Sequence, residues 1–90
     1  MGVVFDEAKR QATLEARGLD FRDAVTIWDG PTFTVRDERR DYSEDRFVTY
    51  GIMGDRQVVV VWTWREADRR IISMRKANER EQARFRKRLV

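Results

Sequence analysis

"QVVVVWTW", residues 57–64, contains the longest apolar run of the chain, Val58–Trp62, and decides how the rest is read. A strand with one wet face alternates polar and apolar side chains. This run offers apolar side chains to both faces, so it predicts a central strand covered on both sides. "GDR" (54–56) just before it is a tight turn. "RFVTYGIM" (46–53) then reads as its hairpin partner, with Arg46, Val48, Tyr50 and Ile52 on one face and Phe47, Thr49 and Met53 on the other.

Working outward, "READRR" (65–70) turns the chain again and "IISMR" (71–75) supplies the last strand. Strict alternation puts Arg69, Ile71, Ser73 and Arg75 on one face of it, and Arg70, Ile72 and Met74 on the other. "TFTVRD" (32–37) is a short alternating strand, and the polar "ERRDYSED" (38–45) connects it to the hairpin. Two helices precede the strands. Residues 6–17 have Asp6 as N-cap, Phe5, Ala8 and Ala12 on one face, and Gly18 at the C-terminal stop. A second helix starts at Asp20, places Phe21, Ala24, Val25 and Trp28 on one face, and ends at "DGP" (29–31). The chain closes with a helix over 78–89, where Asn78 and Glu81 form a capping-box pair and Ala83, Phe85 and Leu89 give an apolar edge. The expected architecture is α+β: two N-terminal helices, an antiparallel sheet of about four strands and a C-terminal helix, in one domain over residues 1–90. Trp28, Phe47 and Phe85 are core candidates, and Trp62 and Trp64 are expected to pack under a helix.

With no cysteine and no histidine among 90 residues, disulfides and thiolate metal sites are excluded. The commonest metal ligand and the usual acid–base group near neutral pH are missing as well. "MGVVFDEAKR" turns charged too soon for a signal peptide, and no run reaches the length of a membrane span. A soluble protein of the cytoplasm is expected. Charge is unevenly spread: residues 1–30 are net −2, residues 31–64 net −1, and residues 65–90 net +6, from ten cationic and four acidic side chains. Clustered arginine suits a polyanion, because each phosphate contact releases counterions and the guanidinium grips phosphate bidentately. A solvated basic helix face or a site for an acidic protein has the same composition.

Four stretches together carry a resemblance: "FDEAKRQATLEARGLDF" (5–21), "SEDRF" (43–47), "VVVVWTW" (58–64) and, most specifically, "RRIISMRKANEREQARF" (69–85). The chain resembles the BrnT family of type II toxins over nearly its whole length. The resemblance implies a RelE-like fold and a ribonuclease that blocks translation. It also implies a partner: a BrnA-type antitoxin, a small DNA-binding protein that forms a hetero-oligomer with the toxin and with it represses their operon. Where the family commonly ends its first helix in Lys-His-Gly, residues 16–18 here read "ARG".

Cutting RNA through its 2′-hydroxyl requires a base for that hydroxyl, charge to stabilise the phosphorane, and help for the departing 5′-oxygen. Without histidine the base is a carboxylate, a shifted lysine or a tyrosine. Arginine is a poor base and a strong stabiliser of phosphorane charge, so a protein of this kind can cut RNA without metal, and the resemblance implies a metal-independent endoribonuclease with no cofactor. The candidate catalytic residues are Glu44 as base and Arg46, Arg75 and Lys76 as phosphate-binding cations. Arg69 and Arg70 are candidate RNA contacts, and Tyr50 a candidate platform for base stacking. Each has a plainer reading: Glu44 and Arg46 as a surface ion pair, Arg75 as a solvated charge, Tyr50 as a buried side chain. Ser73 reads as a small residue on a packed strand, Glu79 and Glu81 as helix-start charges. The acidic run Asp37, Glu38, Asp41, Glu44 and Asp45 reads as a hydrated loop rather than a Mg²⁺ site. A non-catalytic nucleic-acid-binding or adaptor module is the alternative function.

Overall fold

The computed structural model describes residues 2–38 and 43–89. Its elements are β1 (Val3–Phe5), α1 (Glu7–Arg17), a 3₁₀ helix (Phe21–Asp29), β2 (Phe33–Arg36), β3 (Phe47–Met53), β4 (Arg56–Arg65), β5 (Asp68–Lys76) and α2 (Glu79–Leu89). The apolar run lies in β4, the middle strand of a five-stranded sheet ordered β1-β5-β4-β3-β2. Among residues of the acidic connection, Asp41 lies outside the described residues.

The sheet corrects the expected architecture. It has five strands rather than about four, and it is mixed rather than antiparallel. The extra strand is β1, which pairs in parallel with β5 through Val3↔Arg69, Val4↔Arg70 and Phe5↔Ile71. Gly2 fastens it further, donating to Asp68 Oδ1 at 2.9 Å and accepting from the Arg69 amide at 3.1 Å. Three residues show no periodicity of their own, and the partner strand stands more than sixty residues away, so no local pattern announces this pair.

The helices sit where their caps placed them, with one change of geometry. Asp6 Oδ1 accepts from the amides of Ala8 and Lys9 at the start of α1, and Gly18, with φ of 68°, closes it. The second helix is 3₁₀ rather than α. Three residues per turn align Phe21, Ala24 and Ile27 on the buried side and turn Val25 outward, 41% exposed. Phe21, Ala24 and Ile27 pack with Leu19 against Val58, Val60, Trp62, Ile71 and Met74 to form the main core. Fully burying a side chain such as Phe21 or Ile27 contributes about 1.5–3 kcal/mol, against about 1 kcal/mol for a good cap, so packing dominates capping here. Trp62 is buried beside Trp28, whereas Trp64 is 43% exposed and not under a helix.

A second correction concerns β5. The β4–β5 register runs Val61↔Ser73 and then Trp62↔Ile71, leaving Ile72 as the extra residue of a β-bulge. Ile71 and Met74, three apart, therefore both face the core, while Ser73 and Arg75 face the opposite side. Arg69 goes with Ile71 and Arg70 with Ser73, so the expected set of Arg69, Ile71, Ser73 and Arg75 on one face does not form. A bulge leaves no trace in a period-two reading.

Candidate active site

The α1 and 3₁₀ side of the sheet is filled by the core. The other side carries α2 at one end and an open cleft beside it. Pairing across the strands arranges this face in rows. One row is Phe33, Tyr50, Val59 and Arg75; the next is Val35, Val48, Val61 and Ser73. A cleft of about 440 Å³ lies over them, lined by Val35, Arg36, Asp37, Glu38, Val48, Tyr50, Val59, Val61, Ser73 and Arg75. Its floor is valine, and its polar groups stand at both ends: Arg75 and Ser73 on β5, and Arg36, Asp37 and Glu38 at the end of β2. Tyr50 and Arg75 flank Val59 from the two neighbouring strands, so their backbones stand about 10 Å apart at ordinary strand spacing. Two long side chains at that separation can meet on one small ligand group between them.

Arg75 is oriented by α2. Its Nη1 donates to Glu81 Oε1 at 2.6 Å and its Nη2 to Glu81 Oε2 at 2.7 Å. Glu81 also accepts the Asn78 amide at 2.9 Å, while Asn78 Oδ1 accepts the Glu81 amide at 2.8 Å, the capping box that the sequence predicts. The Glu81 side chain is 11% exposed against 47% for Arg75. The buried carboxylate is thus the fixed member and the guanidinium the presented one. Hydrogen bonding from Arg75 holds the Glu81 carboxyl below its usual range, overcoming the opposing effect of burial.

The other sequence candidates are dispersed. Tyr50 lies in the cleft, half-buried, its ring 6.0 Å from that of Phe33. Arg46 stands half-buried at the start of β3, its carbonyl accepting the Asp37 amide at 2.8 Å; alternation puts it on the face of Val48. Arg70 lies opposite Thr63, on the open-face side of β5 and half-buried. Glu44 is 3.9 Å from Arg65 and is not among the residues lining the cleft. Lys76 pairs with Val58, takes the face opposite to Arg75 and lines a separate depression with Asp55, Arg56, Gln57, Ala77 and Gln82. Arg69 is on the core side, its guanidinium 4.2 Å from the Trp28 ring, 5.0 Å from Trp62 and 5.1 Å from Trp64. That burial pushes its pKa down.

Sequence reasoning missed three features. Ser73 is exposed in the cleft, not packed. Asp37 and Glu38 bring carboxylates to the cleft, which their position in a polar loop did not signal. Glu81 was legible as a cap, but its bond to Arg75 depends on the turn Lys76–Asn78 bringing α2 back over β5. Among the described residues no helix is long and apolar enough to cross a membrane, and no cluster of three or more acidic side chains is arranged to hold a metal ion.

No curated protein matches the chain. The family model for BrnT, described as the ribonuclease toxin of type II toxin–antitoxin systems, matches residues 5–81. That span runs from the end of β1 to the carboxylate that orients Arg75, and it includes every residue lining the cleft. The chain belongs to the BrnT family of ribonuclease toxins of type II toxin–antitoxin systems.

Proposed function

We propose that this toxin cuts RNA in the cleft between α2 and the end of β2, without a metal ion, and thereby stops translation. The observation that carries the reading is the Arg75 guanidinium, held bidentately by Glu81 at the mouth of a cleft that also contains Tyr50. A guanidinium fixed before substrate arrives needs no reorganisation as charge builds on the phosphorane, which is where electrostatic catalysis gains most. Tyr50 offers a ring for a base and a hydroxyl near the ribose. For the 2′-hydroxyl proton we assign Glu38, the exposed carboxylate that lines the cleft, in place of Glu44, which lies beside Arg65. Arg46 and Arg70 supply further positive charge on the same side of the sheet.

Inhibition follows from the same geometry. A type II antitoxin is a protein, and one that covers Arg75 and Tyr50 would exclude RNA. We propose a BrnA-type antitoxin, a DNA-binding protein, as that partner. The test is induced expression in a bacterial host, with and without the reading frame adjacent to the toxin gene. Growth arrest with falling protein synthesis, relieved by the neighbour and abolished by Arg75→Ala with the variant still folded, is the expected outcome. A wild-type protein that accumulates folded and harmless in the absence of the neighbour would refute it.

A further inference from the structure

We propose that one flank of α2, carrying Arg80, Arg84 and Lys87, is a phosphate track that leads a single-stranded RNA into the cleft. This rests on the reading of the cleft as an RNA-cleaving site.

The argument starts from the way α2 crosses the sheet. Its first turn is tied to β5 by Glu81 and Arg75, and near its last turn the Arg88 guanidinium lies 4.7 Å from the Phe33 ring of β2. The helix therefore runs across the strands beside the cleft, from Arg75 of β5 toward Phe33 of β2, with Glu81 and Phe85, four apart, turned down and buried. Its two flanks look toward opposite ends of the sheet. Gln82 identifies one of them: it bonds the Ala77 carbonyl and lines the depression beside the β3–β4 turn with Asp55, Arg56 and Gln57. Arg80, Arg84 and Lys87, at i, i+4 and i+7, occupy the flank on the other side of the Glu81–Phe85 line, which is the side of the cleft.

The charge is sorted to match. All three side chains are exposed, and none makes an ion pair among the described residues. The helix's two acidic residues lie elsewhere: Glu81 faces Arg75, and Glu79 falls on the side of Gln82 and Arg86. Three exposed cations one helical turn apart follow a repeating anion better than a folded acidic surface. The row starts at Arg80, beside the Glu81 that holds Arg75, so a strand on it is delivered to that guanidinium and the cleft.

The test uses the full chain and a fluorescent, unstructured oligouridylate, with affinity measured as a function of salt and cleavage followed in parallel. Each phosphate contact on a single strand contributes about 0.7 to the slope of log K against log salt, so the triple variant R80A/R84A/K87A should lose about 2 from that slope. Its KM should rise while kcat stays within about twofold of wild type, and Arg86→Ala, on the opposite flank, should leave the slope unchanged. Circular dichroism confirms that each variant keeps its helix content. An unchanged slope in the triple variant overturns the track, even if wild type cleaves. So does an equal loss per charge in Arg86→Ala, or binding of an acidic protein but not of RNA by this flank. Because slope is read from binding, a wild type that binds the oligomer but never cuts RNA fails the catalytic reading while the track is judged separately.

Discussion

Arg75 of β5 and Glu81 of α2 are joined by two charge-assisted hydrogen bonds, at 2.6 and 2.7 Å, and the same carboxylate caps the helix through the Asn78 amide. One side chain thus starts α2, docks it on the sheet and aims the guanidinium. Glu81→Ala should remove the cap and the ion pair together and destabilise the protein by about 1–2 kcal/mol in urea denaturation. Glu81→Gln keeps an acceptor for the cap and should cost about half as much. Both should lower kcat for RNA cleavage by about tenfold through loss of Arg75 orientation, with KM little changed.

Acid should expose a second network. Asp20 is held down to about 2, below its ordinary 3.8, chiefly by hydrogen bonds from Arg22 and also from Arg10. Its folded pKa is lower than its unfolded one, so its stabilisation is complete above about pH 4 and is lost as pH falls toward 2. Wild type should therefore lose more stability than Asp20→Asn between pH 5 and pH 2, windows set by these values. Thermal melts across that range would read the difference.

Gly51 of β3 sits directly under the 3₁₀ helix, where a Cβ would collide with the Ile27 side chain. Ile27 is completely buried, so neither partner can move aside cheaply. Gly51→Ala should cost about 1–3 kcal/mol by overpacking, visible as a lower urea midpoint with an unchanged m-value.

The Trp62 indole donates to Thr49 Oγ1 at 2.7 Å inside the core, and Thr49 in turn meets Thr34 Oγ1 at 2.8 Å. Thr49→Val is nearly isosteric but leaves a buried indole N–H unsatisfied, so it should destabilise by about 1–3 kcal/mol. A blue-shifted or intensity-changed tryptophan emission without loss of the fold would accompany it.

What the sequence revealed and hid follows the range of the interactions. Asp6, Gly18, Asn78 and Glu81 act within a few residues of themselves, so the helix ends could be read from them. The run Val58–Trp62 carries its own evidence of two-sided burial. Val3–Phe5 does not, because a parallel strand is defined by a partner far along the chain. The bulge at Ile72 shifted the faces of Arg69 and Ser73 because periodicity assumes an uninterrupted ladder. Of the candidate site, Arg75 and Tyr50 come together because no irregularity separates them through Val59. Glu44 and Lys76 do not join them: one is set by a loop and the other by the opposite face of the strand.

The central claim is that Arg75 stabilises the phosphorane of an RNA-cleaving reaction that needs no metal. Its most direct test is cleavage of an end-labelled RNA by purified toxin in EDTA, beside a matched strand carrying 2′-deoxy sugars and beside Arg75→Ala. Cleavage of the ribose strand alone, reduced by about 10²–10³ in kcat by the substitution, is the predicted result. Cleavage that requires added metal, persists on the deoxy strand or survives Arg75→Ala undiminished would contradict the account.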